Sequence, residues 1–151
     1  MSVKRIQKEL MMFSRDPCHG ISVECPDEAD QRTWSGSIDG PPGTPYEGGR
    51  WTMSITFPER YPMKPPVIKF MTQVAHPNVG EDGCICLDIL DSKWSPALTV
   101  AKTLLSISSL LMDPNPSSPM RGDLADMYHA DRDEYTRYIE EETKKYAMNH
   151  A

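Results

Sequence analysis

The chain has 151 residues, enough for one domain that buries about two-thirds of its unfolded surface. Its formal charge of −6 is unevenly placed: the first 75 residues carry nine basic and nine acidic side chains and the remainder seven and thirteen, which argues against a nucleic-acid binder because no basic stripe is present. No apolar run approaches the ~18 residues of a membrane span, Met1 to Glu9 lacks the apolar core of a secretory leader, and four cysteines without a regular framework fit a reducing cytosol or nucleus.

Val3, Ile6, Leu10 and Phe13 recur at helical spacing and predict an amphipathic helix over residues 3–15, ended by Asp16-Pro17. Lys4, Arg5 and Lys8 make a basic face on its other side. Residues 20–32, with Pro26 and three acids, read as irregular or edge-like. Trp34, Gly36 and Ile38 alternate with polar residues over 33–38, and Trp51, Met53, Ile55 and Phe57 alternate more cleanly still, so both stretches are strands. A Pro/Gly-rich turn region separates them, Tyr61–Pro66 is a rigid loop, and 67–71 is a third, short strand. Consecutive strands joined by short turns favour an antiparallel meander. Downstream, Val100, Leu104, Ile107, Leu110 and Leu111 mark an apolar helix of about 12 residues with Thr99 as its N-cap. Asp113-Pro114-Asn115-Pro116 stops it. Residues 121–129 form a short helix, and Asp131-x-x-Glu134 opens a last one lined by Tyr135, Tyr138, Ile139 and Tyr146. The order of helix, strands, loop and helices makes the class α+β.

The most informative stretch is His76–Leu90, which reads as loop. Pro77 biases His76 away from helix, and Gly80 and Asp82-Gly83 signal a further turn. Cys84 and Cys86 follow, two residues apart; in an extended chain both thiols face one side. A cysteine beside a Gly-containing turn, near an Asn and a His, is a candidate nucleophile. Buried, inert cysteine is the alternative, since Cys is among the most buried residue types. Cys84-x-Cys86 is too tight for a zinc site, and a disulfide between the two closes a small, strained ring.

Three segments around this loop resemble the catalytic segment of a ubiquitin-conjugating enzyme: His76-Pro77-Asn78, Gly83-x-Ile85-Cys86-Leu87-Asp88-Ile89-Leu90 and Trp94-Ser95-Pro96-Ala97-Leu98-Thr99. Pro41-Pro42-Gly43-Thr44-Pro45-Tyr46-Glu47-Gly48-Gly49, Tyr61-Pro62-x-Lys64-Pro65-Pro66 and Leu110-Leu111-x-Asp113-Pro114-Asn115-Pro116 are similar to the same family. The likeness runs in one order from Lys4 to Met148 and is greatest to the small, broadly acting members made of the conjugating domain alone. It implies a single catalytic domain over 1–151, with a fourth strand added to the three read from periodicity.

The resemblance also implies roles. Cys86 takes the ubiquitin C-terminus from an activating enzyme as a thioester, and a substrate lysine then attacks that carbonyl. Asn78 is the candidate oxyanion donor, or pins the loop through backbone hydrogen bonds. Asp88 orients or desolvates the incoming lysine. His76 and Pro77 shape the loop; His76 is a scaffold residue rather than a base paired with the thiol. The resemblance places Lys4, Arg5 and Lys8 at the activating enzyme and ligase, with Met63, Ser95, Pro96 and Ala97 as ligase contacts. Leu105 and Ser109 match the helix positions on which the carried ubiquitin folds back, with buried core as the alternative for Leu105. Ser22 matches a non-covalent ubiquitin site on the opposite sheet face, or is simply an exposed hydroxyl. Relatives place a second acid where this chain has Ser118, and phosphorylation there would restore the charge. Cys84 is given no role.

The expected partners are ubiquitin, its activating enzyme, RING-type or HECT-type ligases and substrate lysines. Neither nucleic acid nor membrane is expected, and the protein is expected to be a monomer of the cytoplasm or nucleus. No metal or bound cofactor is called for; ATP is used by the upstream activating enzyme, and no Gly-x-x-x-x-Gly-Lys loop is present. A binding variant without catalysis, a cysteine hydrolase using Cys86 and His76, and a carrier of another ubiquitin-like modifier remain as alternatives.

Overall fold

Alternation builds the sheet. In the computed structural model, which describes residues 2–148, Thr33–Asp39 (β2) and Arg50–Thr56 (β3) each bury every second side chain. They pair antiparallel with Trp34 opposite Ile55 and Ile38 opposite Trp51, so four large apolar side chains share one face. Val67–Phe70 (β4) adds Ile68 and Phe70 to that face. The stretch read as irregular or edge-like contains the fourth strand that the resemblance implies, Ile21–Glu24 (β1), an edge strand antiparallel to β2. It is four residues long and buries only Ile21 fully, so it carries too little alternation to read without its partner. The order β1-β2-β3-β4 is the expected antiparallel meander.

Helices cover the apolar face. Ser2–Arg15 (α1) contributes Ile6 and Phe13, and Val100–Met112 (α2) contributes Val100, Leu104, Ile107 and Leu111 to one core with the sheet residues. At ~25 cal/mol per Å² of apolar surface, a fully buried Ile or Leu of this set contributes roughly 1.5–3 kcal/mol. Thr99 caps α2 as expected, accepting from the Lys102 N–H at 3.2 Å. Gly122–Ala130 (α3) and Arg132–Ala147 (α4) follow, and Asp131 caps α4 through the Glu134 N–H. The buried stripe of α4 is Tyr135, Ile139, Thr143 and Ala147; Tyr146, expected on it, is 38% exposed. The spacing of four holds the stripe, and Tyr146 falls off it.

Candidate active site

The loop leading to the thiols is anchored by aromatic side chains of the core. The Tyr46 hydroxyl donates to Ala75 O at 2.6 Å, and Trp51 Nε1 donates to Gln73 O at 3.2 Å. Residues 74–79 are then buried without belonging to any helix or strand. Their polar groups must be paired internally. His76, fully buried, accepts from the Asn78 N–H on Nδ1 at 2.9 Å and donates from Nε2 to Leu110 O near the end of α2 at 2.7 Å. This fixes the neutral tautomer, and burial lowers its pKa from 6.5 to about 4. Both ring nitrogens are committed to backbone groups of the loop and of α2, and neither is bonded to Cys86.

Asn78 pins the next segment. Its Nδ2 donates to Asn115 O at 2.7 Å and Ser118 O at 3.1 Å, and its Oδ1 accepts from the Asn115 N–H at 2.8 Å. Both amide protons are therefore spent on the loop after α2. Pro77 O completes the tie by accepting from the N–H groups of Met120 and Arg121. Asn78 O accepts from the Cys86 N–H at 2.8 Å, which holds the thiol-bearing residue directly.

The two cysteines part company here. A bridge between Lys69 and Cys84 fastens the loop to β4, and Gly83 donates its shape to that approach: φ is +89°, and a Cβ would lie 2.1 Å from Phe70 O. The Cys84 thiol donates to Asp82 Oδ2 at 3.2 Å, and this hydrogen bond pushes its pKa above the ordinary value. Cys86 is the exposed one of the four free cysteines. It opens on a groove of about 450 Å³ lined also by Asp88, Asp91, Leu110, Asn115 and Ser118. Asp88–Leu90 forms a single 3-10 turn inside the stretch expected to be loop, with Asp88 exposed at its start. The structure thus brings Cys86, Asn78, Asp88 and Ser118 together. Such an arrangement presents an accessible thiol in one groove with a carboxylate, on a backbone hydrogen-bonded to Asn78.

The remaining expected site residues lie elsewhere. Leu105 is 47% exposed on α2, which settles it as surface rather than core, and Ser109 is exposed one turn on. Met63 (69% exposed), Pro96 and Ala97 are exposed at one end of the molecule, where Trp94 Nε1 donates to Pro62 O at 2.8 Å and joins their two loops. Ser95 Oγ accepts from the Ala97 N–H and shapes the second loop. Lys4 and Lys8 are exposed on α1. Arg5 corrects the expected basic face: it turns inward, pairing with Glu9 at 3.1 Å and donating from Nη2 to Leu98 O at 2.7 Å. Ser22 is exposed on the outer sheet face, 2.6 Å from the Ser37 hydroxyl.

Glu9 itself went unread in the sequence. It is 8% exposed, its Oε2 accepts from Arg5 and from the Tyr61 hydroxyl, and its Oε1 accepts from the Val100 N–H at 2.8 Å. Burial, with Glu9 second, pushes the Tyr61 phenol well above its ordinary pKa and keeps it a donor. The signal was available: Glu9 sits on the buried stripe of α1 with Ile6 and Phe13.

Among the described residues no group of three His, Cys, Asp or Glu could hold a metal ion, and no helix is long and apolar enough to cross a membrane. A family model described as ubiquitin-conjugating enzyme matches residues 5–143. Among solved structures, the chain is similar to the E2 domain of a ubiquitin conjugating enzyme from Toxoplasma gondii. The two are 39% identical, with a TM-score of 0.89 over 97% of this chain and 99% of that one.

Proposed function

Because the chain belongs to the ubiquitin-conjugating enzyme family, a family of transferases, we propose that it carries ubiquitin as a thioester on Cys86 and passes it to substrate lysines, usually with a RING-type ligase and with HECT-type ligases as a second class. One observation supports this most: Cys86 is an exposed thiol on an immobilised backbone, while the neighbouring histidine is wholly engaged in holding that backbone.

The Cys86 thiolate attacks the carbonyl of the ubiquitin C-terminus held as a thioester on the activating enzyme, and that enzyme's thiolate leaves. ATP is consumed at the activating enzyme, and this chain needs no cofactor of its own. A neutral lysine amine then attacks the new thioester, the C–S bond breaks, an isopeptide bond forms, and the amine's proton passes to solvent. Asp88 on the groove wall orients or desolvates the incoming lysine, which gives up its ammonium proton to solvent before the neutral amine attacks. Asn78 acts first as the holder of the loop. It serves as oxyanion donor only if one amide proton is released, most readily that to Ser118 O at 3.1 Å. Such a donor is worth roughly 2.7–4 kcal/mol in a transition state.

Lys4, Arg5, Lys8, Met63, Ser95, Pro96 and Ala97 form the surface for the activating enzyme and ligase, with Arg5 and Ser95 half-buried behind the others. Leu105 and Ser109 receive the carried ubiquitin, and Ser22 offers a non-covalent ubiquitin contact. A phosphate on exposed Ser118 would add negative charge to the Cys86 groove from the side opposite the 88–91 turn's own acids, so Ser118→Asp should speed lysine discharge a few-fold; no gain over wild type contradicts that role. A free thiol nucleophile suits the cytoplasm or nucleus.

The experiment is a thioester assay with ubiquitin, an activating enzyme and ATP on a non-reducing gel. A band one ubiquitin heavier, lost on reduction, absent in Cys86→Ala and decaying on addition of free lysine, is expected. No band, or one that survives in Cys86→Ala, overturns the proposal.

A further inference from the structure

Four segments meet at one buried carboxylate. Glu9 joins α1 to the start of α2 through Val100, to the Tyr61–Pro66 loop through Tyr61, and to the Trp94–Thr99 loop through Arg5, whose Nη2 holds Leu98 O. The start of α2 already has its own cap in Thr99. A buried charge carries a desolvation cost that its partners must offset, and an apolar side chain would fill the place without that cost. What the carboxylate adds over an apolar residue is connection: an acceptor at the helix N-terminus, where negative charge is favoured, with its second oxygen tied to the loops that carry Met63 and Ser95–Ala97.

The other end of α2 is tied to the thiol. Leu110 O is held by His76, His76 receives the Asn78 N–H, and Asn78 O receives the Cys86 N–H. The exposed Met63 surface and the backbone of Cys86 are therefore linked through one helix, hydrogen-bonded at both ends. The two loops expose Met63, Pro96 and Ala97 together with Lys64, and Lys4 and Lys8 are exposed on α1, so the partner that fits there presents an apolar surface with an acidic rim.

We propose that Glu9 is a positioning residue that couples ligase binding at the Met63 and Ser95–Ala97 loops to the reactivity of the thioester on Cys86, acting through α2. The inference rests on the carrier function proposed above. Binding that shifts either loop pulls on Arg5 and Tyr61, and Glu9 passes the shift to the first turn of α2 as a rigid-body displacement rather than a local one.

The test is single-turnover discharge of the preloaded thioester to free lysine, with and without a saturating RING domain that binds and accelerates the wild type. Glu9→Gln keeps the shape and loses the charge; Tyr61→Phe removes one hydroxyl and covers the case in which Glu9→Gln folds poorly. Both should load ubiquitin and discharge unaided within about twofold of wild type. The ligase-stimulated rate at saturation should fall about three- to tenfold with the half-saturating ligase concentration unchanged. The double variant should be no worse than Glu9→Gln, since both act through one carboxylate. Full stimulation of both variants overturns the proposal. So does an equal loss with and without ligase, which means plain damage to the thiol loop, or a change confined to half-saturation, which means a surface contact. A wild type that loads and binds RING domains but is accelerated by none leaves no coupling and overturns it as well. A wild type that forms no thioester instead brings down the carrier function, seen as the missing band.

Discussion

The two ends of α2 are held by opposite devices. At its start a buried acid, Glu9, accepts from the first N–H; near its end a buried histidine, His76, donates to the carbonyl of Leu110. Each matches the sign of the helix end it serves. The acid reaches outward, through Arg5 and Tyr61, to the loops that carry the exposed Met63, Pro96 and Ala97. The histidine reaches inward to a segment, residues 74–79, that is buried throughout. One end of the helix is thus tied to exposed loops and the other to a buried segment that holds the backbone of Cys86.

The comparison breaks most severely at the inward end. His76→Ala leaves the Leu110 carbonyl and Asn78 N–H unpaired and opens a cavity. It should cost about 4 kcal/mol in chemical denaturation and abolish thioester loading, whereas Glu9→Gln should still load. Loading by a stably folded His76→Ala would show that the inward tie is dispensable. The same tie has a pH signature. With its pKa lowered from 6.5 to about 4, His76 takes up its proton more readily in the unfolded chain. Stability from this group is therefore fully present above about pH 6.5 and falls as pH drops to about 4, by about 3 kcal/mol in all. A His76→Gln variant should show a flatter acid limb by that amount; an unchanged limb would place the titration elsewhere. Gly83→Ala comes next, at about 2 kcal/mol, because a side chain at φ +89° also meets Phe70 O. Cys84→Ser is the smallest, within about 0.5 kcal/mol and with loading unchanged, since Cys84 only donates to an exposed carboxylate. A loss of loading there would make the two thiols a functional pair.

The parts of this contrast differ in how well the residues announce them. Strongly periodic segments were legible: α1, β2, β3 and α2 stand where the apolar spacing put them, with Thr99 and Asp131 as caps. β1 was legible only as irregular or edge-like, because four residues offer two alternations and Pro26 follows closely; its place at the sheet edge comes from pairing with β2. The thiol loop was legible as a loop, and His76 as scaffold, because Pro and Gly punctuate it. Its grip on α2 was not, since the Leu110 carbonyl lies 34 residues from His76 and backbone acceptors leave no mark on a sequence. Arg5 was legible only as part of a basic face with Lys4 and Lys8, and its pairing with Glu9 one turn on was not. Only the position of Glu9 on the buried stripe betrays that the pair faces inward.

The most direct measurement of the central claim, that residue 86 carries the acyl group, is intact and peptide mass spectrometry of Cys86→Ser after incubation with ubiquitin, an activating enzyme and ATP. A hydroxyl in the same place should trap one ubiquitin as an oxyester on residue 86, stable to thiol reductant and cleaved by hydroxide. Ubiquitin found on Cys84, or an unmodified chain under conditions in which the wild type loads only a lysine, would contradict it.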